Sequence, residues 1–295
     1  GKRIIEKTRR RYGPIELDQF EGKLSGLWLA EIELPSQRAK LPSLPAWIGQ
    51  LTSLIELRLY NNRLTVLPDA VGQLDKLKEL YLMDNALAAL PANIGQLANL
   101  RKLILQGNHL TALPAKIGEL TQLTDLDLSS NTNMTNGVVK ILGELKQLQR
   151  LTLLQNQVND IGAQRLAALQ ELRALDLRGN MEAGDMALEV VSGLPKLAAF
   201  KHRSTAVTDS GLEYLGRNQA LESLLLQDFV ITDQSGPYLA QLKKLSQLEI
   251  FRCQGFGSEG VLALKGMGLT RLTLRDLPNV DDRAMEVCDD LPQLR

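Results

Sequence analysis

Two cysteines in 295 residues are too few for a disulfide framework, and two cysteines and two histidines so distributed are not a zinc pattern. Cys253 and Cys288 lie far apart, and His109 and His202 have no serine or cysteine at a readable nucleophile–base spacing. No glycine-rich loop of the phosphate-cradling kind is present. The expectation is therefore no enzyme, no cofactor and no metal. Charge of one sign is also missing, because 34 basic residues balance 34 acidic ones, so nucleic acid is not expected as a partner. No apolar run approaches the length of a membrane span, and residues 1–23 lack the apolar core of a signal peptide. No membrane partner is expected. A bacterial, cytoplasmic protein fits this composition, with secretion left open.

What the chain does have is a repeat. Leu-x-x-Leu-x-Leu-x-x-Asn recurs at Leu54, Leu77, Leu100 and Leu123, 23 residues apart each time, and ends on Asn62, Asn85, Asn108 and Asn131. Later copies start at Leu148, Leu172, Leu197, Leu221, Leu245 and Leu269, at steps of 24 or 25 residues. The last two leucines of each copy alternate with polar positions, which is the period of a short strand with one buried face. The asparagine that follows can pair with backbone groups of adjacent coils and satisfy polar groups that burial would otherwise orphan. Four copies depart from it, with Thr205, Phe229, Cys253 and Leu277 in the asparagine slot, and His202 replaces an inner leucine. His202 is expected to point inward.

The segments between strands change midway. Leu67-Pro68-x-x-Val71-Gly72 and Leu90-Pro91-x-x-Ile94-Gly95 are too short and too interrupted for α-helix, so 3₁₀ turns are expected. From about residue 134 the proline disappears, and stretches such as Val207-Thr208-Asp209-Ser210-Gly211-Leu212 offer a cap followed by an amphipathic turn or two. Strands stack about 4.8 Å apart while helical returns are bulkier, so the stack is expected to curve with its strands inside.

Residues 24 to 295 thus resemble the leucine-rich repeat family. The first half is similar to its 23-residue Leu-Pro-x-x-Ile-Gly class, and the second half to its helical class of 24 to 25 residues, in which some members carry cysteine at the asparagine slot. The resemblance implies an α/β solenoid, a curved horseshoe with a parallel sheet on the concave face and 3₁₀ or α-helical return segments on the convex face. It also implies a module that binds proteins or peptides, because most of the family does so.

Three regions are expected: a capping helix within residues 1–23, short repeats over 24–133 with an extended first copy, and helical repeats over 134–295. Ile4, Ile5, Thr8 and Tyr12 suggest the apolar side of the cap, and Lys2, Arg3, Lys7 and Arg9 to Arg11 its solvated side. The first copy is read as Leu24-Leu27-Leu29, followed by a longer loop containing Pro35, Pro42 and Pro45. The last copy begins at Leu294 and stops. Either the parent chain continues, with an additional domain C-terminal to residue 295, or a partner covers this end.

Outward-pointing strand positions form columns around the concave face. Trp28, Arg58, Tyr81, Ile104, Asp127, Thr152, Asp176 and Lys201 fall in one, and Ala30, Tyr60, Met83, Gln106, Ser129 and Arg203 in the next. Only 4% of the chain is aromatic, yet Trp28, Tyr60 and Tyr81 fall in adjoining coils beside Met83 and Ile104. Large amphipathic rings commonly anchor interfaces. The expected partner site is therefore Trp28, Tyr60, Tyr81, Met83 and Ile104, with Arg58, Asp127, Lys201 and Arg203 setting orientation. The alternative functions are a structural or assembly module, or a cis-regulatory arm of a larger signalling or effector protein.

Overall fold

The computed structural model describes residues 7–12, 15–20, 28–32 and 43–294. The chain divides into two compact units, Gly1–Met134 and Thr135–Arg295. Each is an α/β solenoid built from successive strand-and-return coils.

Among the described residues, unit 1 starts with three strands, β1 (Lys7–Tyr12), β2 (Ile15–Phe20) and β3 (Trp28–Ile32), joined antiparallel in that order. Four short parallel strands follow: β4 (Glu56–Arg58), β5 (Glu79–Tyr81), β6 (Lys102–Ile104) and β7 (Asp125–Asp127). The expected capping helix is therefore corrected, since the described residues of the cap are strands. An open first strand needs hydrogen-bond partners along its edge, and β2 supplies them directly. Ile15 and Leu17, two residues apart, are 3% and 4% exposed and face the core. The alternate positions are ionic rather than apolar: Asp18 receives Lys7 Nζ at 2.6 Å and Arg9 Nε at 2.6 Å, and Glu16 meets Arg9 and Arg11. A period of two explains that pattern and a helical stripe does not. Ile4 and Ile5 lie outside the described residues, as do Leu24, Leu27, Pro35 and Pro42.

Return segments in unit 1 are 3₁₀ turns at Ala46–Gln50, Asp69–Gln73, Ala92–Gln96 and Ala115–Glu119. Each is entered through a proline, and the glycine in its fourth position lets the next turn stack closely. A Cβ on Gly72 would lie 2.4 Å from Asn93 O. Between the strand and return layers the leucines are fully buried: Leu57, Leu80 and Leu103 are all 0% exposed.

Buried asparagines stitch these coils. The Asn108 amide donates to Leu82 O at 3.0 Å and Leu105 O at 2.9 Å, and its oxygen accepts from Leu87 N at 3.1 Å. Asn85 and Asn131 repeat this one coil earlier and one coil later. Each side chain so placed ties backbone groups of two coils that burial removes from water.

Unit 2 holds six parallel strands in chain order, β8 (Arg150–Thr152), β9 (Ala174–Asp176), β10 (Ala199–Arg203), β11 (Ser223–Gln227), β12 (Gln247–Phe251) and β13 (Arg271–Arg275). Its returns are helical: α1 (Asn136–Leu142), α2 (Asp160–Ala163), α3 (Asp185–Ser192), α4 (Asp209–Leu215), α5 (Ser235–Leu239) and α6 (Ser258–Leu262). A 3₁₀ segment, Asp282–Asp290, forms the last one. Aspartates at or near the start of one return cap the next. Asp160 accepts from Gly184 N at 2.7 Å and Ala187 N at 3.0 Å, and Asp209 accepts from Thr232 N at 2.9 Å and its hydroxyl at 2.8 Å.

The asparagine ladder reaches Asn180, which donates to Leu153 O and Leu177 O. Beyond it the polar work changes hands. Thr205, the residue at the asparagine spacing, is exposed, and its neighbour Ser204 is buried and donates to Met181 O at 2.8 Å. His202 is fully buried between Phe200 and Phe229, with Nδ1 3.1 Å from Leu177 O and Nε2 2.8 Å from Ala183 O. Burial pushes its imidazole pKa down, and the two carbonyls oppose that shift. Phe229 and Cys253 fill their slots as core residues.

Candidate functional site

Strand register decides which residues share the exposed face. In unit 1 it aligns Glu31, Arg58, Tyr81, Ile104 and Asp127 in one row. Tyr60 and Met83 stand two residues further along their coils, and backbone pairing runs on there, with Asn61 N donating to Met83 O at 3.1 Å. Arg58, Tyr60, Tyr81, Met83, Ile104 and Asp127 therefore share one face, and all are half-buried.

Trp28 does not join them. Ala30, not Glu31, aligns with the core residue Leu57, so Trp28 lies on the core-facing side of β3. Ala30 is 0% exposed, and Trp28 is half-buried beside Leu17 and Leu54, where it lines a cavity of about 160 Å³. Trp28 is removed from the site and Ala30 from its column. The spacing Leu24-Leu27-Leu29 imitates the repeat, but the pairing is shifted by three residues, and a slip by an odd number of residues inverts every side chain of a strand. Glu31 takes the position that Trp28 was expected to hold.

The tyrosines are held rather than bare. Tyr60 Oη donates to Glu31 Oε1 at 2.7 Å, and Tyr81 Oη donates to Glu79. Arg58 Nε donates to Glu56 at 2.6 Å, and its guanidinium sits 5.9 Å from the Tyr81 ring centre. Lys102 Nζ lies 5.0 Å from the same ring. Burial and the bond to Glu79 raise the Tyr81 pKa, and the contact with Tyr81 raises that of Lys102. Neither group changes charge near neutral pH, so the patch is a fixed set of rings, cations and carboxylates. Met83 and Ile104 are its unadorned apolar members. Asp127 is turned along its own coil, accepting from Ser129 N at 2.9 Å and from Ser129 Oγ.

In unit 2, Asp176, Lys201, Leu225, Glu249 and Thr273 align in one row, and Arg203, Gln227, Phe251 and Arg275 in the next. Lys201 is exposed and makes no side-chain hydrogen bond or ion pair among the described residues. Arg203 is engaged: Asp228 receives it at 2.5 Å and receives Arg252 at 2.6 Å, which holds the Asp228 carboxyl below its ordinary pKa. Arg178 binds Asp176 through two nitrogens, with Nη2 at 2.7 Å. Glu31, Glu79, Lys102, Asp228 and Arg252 are members of these networks that the linear pattern did not single out.

Among the described residues no group of three His, Cys, Asp or Glu side chains is placed to hold a metal ion. No helix of the described residues is long and apolar enough to cross a membrane. Burial pushes the Cys253 thiol up to about 12, and Cys288 is exposed.

A leucine-rich repeat region model matches residues 76–291, and a leucine rich repeat model matches residues 53–74. No curated protein matches the sequence at a significant level. Among solved structures, an internalin (inlF) from Listeria monocytogenes is similar with a TM-score of 0.69 at 23% identity, over 91% of this chain and 78% of that one. A plant peptide hormone receptor, RGFR1 in complex with RGF2, is similar with a TM-score of 0.53 at 21% identity, over 89% of this chain and 53% of that one. A leucine-rich repeat protein of Leptospira interrogans is 27% identical, with a TM-score of 0.49 over 87% of this chain and 74% of that one. Family models spanning most of the chain, on a solenoid with this strand and asparagine pattern, make it a member of the leucine-rich repeat family.

Proposed function

We propose that the chain is a recognition module that binds a protein or peptide on the strand face of unit 1, and is not an enzyme. The observation that carries this reading is the convergence of Tyr60, Tyr81, Met83 and Ile104 on one face, with the tyrosine hydroxyls fixed by Glu31 and Glu79. Rings held in place lose little freedom on binding, so their contact area goes into affinity. The peptide complex named for the plant receptor is in keeping with this reading, as is the general use of the family in protein binding. Lys201 and Arg203 belong to the face of unit 2 and would orient what is bound there. The absence of catalysis is supported by His202, whose two ring nitrogens both face buried carbonyls, and by the buried, high-pKa Cys253. A cytoplasmic setting remains our reading from two cysteines that form no disulfide.

The test replaces Met83 and Ile104 together by alanine, because neither side chain makes a hydrogen bond whose loss would disturb the coil. Capture of binding proteins from the native cell extract is compared between wild type and variant, and the affinity of each retained protein is then measured. Loss of about 2 kcal/mol or more is expected for a partner anchored there. Equal affinity for both, with unchanged circular dichroism, would move the site elsewhere.

A further inference from the structure

The chain is neutral as a whole, but its exposed strand positions are not. Over β3 to β7 the face of unit 1 carries five carboxylates, Glu31, Glu56, Glu79, Asp125 and Asp127, against two cations, Arg58 and Lys102. Over β8 to β13 the balance reverses. Arg150, Lys201, Arg203, Arg271 and Arg275 point outward from the strands and Arg178 follows β9, against two carboxylates, Asp176 and Glu249. The turns after β11, β12 and β13 add Asp228, which pairs with Arg203 and Arg252, and Asp276, which pairs with Arg275, and with these residues and Arg252 included the cations still outnumber the carboxylates, seven to four.

Internal pairing does not erase the imbalance. The pairs Arg58–Glu56 and Arg178–Asp176 each cancel one charge of either sign, so the excess stays where it was. Lys201 and Arg271 are exposed and have no side-chain partner among the described residues. Each face also carries apolar contact groups, Met83 and Ile104 in unit 1 and Leu225 and Phe251 in unit 2, all half-buried. A surface that combines excess charge with such anchors discriminates between segments of opposite sign, because like charges brought together at an interface are costly.

We propose that the two strand faces select oppositely charged polypeptide segments: unit 1 takes a lysine- or arginine-bearing segment with apolar side chains, and unit 2 an aspartate- or glutamate-bearing one. This rests on the strand-face reading above. On unit 1 the cations of the segment meet the carboxylates of Glu31 and Glu79, and its apolar side chains rest on Met83 and Ile104. On unit 2 its carboxylates meet Lys201 and Arg271, and its apolar side chains rest on Leu225 and Phe251.

The experiment uses the whole chain and three synthetic peptides of equal length, alternating leucine with lysine, with glutamate or with glutamine. Two charge variants are compared: Glu31→Gln with Glu79→Gln, which keeps an acceptor for each tyrosine hydroxyl, and Lys201→Gln with Arg271→Gln. The lysine peptide is expected to lose tenfold or more in affinity with the first variant and to be unmoved by the second. The glutamate peptide is expected to do the reverse, and both to weaken as salt shortens the Debye length. Both peptides responding to the same variant, or neither binding more tightly than the glutamine peptide, overturns the proposal. If Met83→Ala with Ile104→Ala abolishes binding of the lysine peptide while Glu31→Gln with Glu79→Gln leaves it intact, the strand-face reading survives and the charge selection fails. If neither variant alters binding, the strand-face reading fails with it.

Discussion

Replacing Asn108 by alanine should destabilise unit 1 by about 3 kcal/mol, although the residue touches no ligand and is 3% exposed. The magnitude follows from where its four side-chain hydrogen bonds go, the longest of them, 3.3 Å to Gln106 O, ending on a carbonyl that keeps Asp84 N. Leu82 O keeps the amide of Asn85, and Leu105 O keeps that of Asn131, so each carbonyl loses one donor of two. Leu87 N loses the side-chain acceptor that caps it. An orphaned buried N–H costs about 1–3 kcal/mol, and each hydrogen bond lost from a carbonyl that keeps another contributes roughly 0.5–1 kcal/mol. The assay is urea unfolding followed by far-ultraviolet circular dichroism, with amide exchange at Leu87 as the local probe. The control is Thr205→Ala, a residue in the same sequence slot that is exposed and should change stability by about 0.5 kcal/mol or less. An Asn108→Ala midpoint equal to wild type, or an equally large loss for Thr205→Ala, would refute the ladder.

Two further outcomes can be checked with simple probes. Asp18, buried under Lys7 and Arg9, has its carboxyl pulled from 3.8 to about 2, chiefly by the hydrogen bond from Arg9. A depressed folded pKa gives stability that is full above about pH 4 and lost as the pH falls toward 2. The amount is about 2 kcal/mol, and Asp18→Asn should flatten that part of the acid profile of amide exchange in β1 and β2. An unchanged profile would place Asp18 in solvent. With a thiol reagent, Cys288 should react at once and Cys253 only when denaturant opens the core, so two equally fast thiols would contradict the burial of Cys253.

The period of the leucines was enough to read the parallel strands from Leu57 onward, because a one-sided strand and a buried asparagine leave a mark at fixed spacing. Proline and glycine at Pro68 and Gly72 marked the 3₁₀ turns for the same reason. What stayed hidden depended on neighbours distant in sequence. The cap reads as basic and featureless until Asp18 is seen opposite Arg9, since its alternation is ionic. Trp28 was misplaced because Leu24-Leu27-Leu29 has the right spacing in the wrong register, and only pairing of Ala30 with Leu57 exposes the slip. The partners of Tyr60 and Arg203 lie 29 and 25 residues away, so neither network leaves a local signal. His202 was legible as inward-pointing from the leucine it replaces, and Ser204 was not, because the slot shifts by one residue beside it.

The central claim is that a polypeptide is held on the strand face of unit 1, and photo-crosslinking tests it most directly. A photoreactive residue is placed at Met83 in one protein and at Lys116, exposed on the 3₁₀ turn Ala115–Glu119, in another. After irradiation in the native cell extract, the account predicts a discrete polypeptide adduct from position 83 that excess unlabelled wild-type protein suppresses, and no such adduct from position 116. An adduct from position 116 with none from position 83 would contradict it.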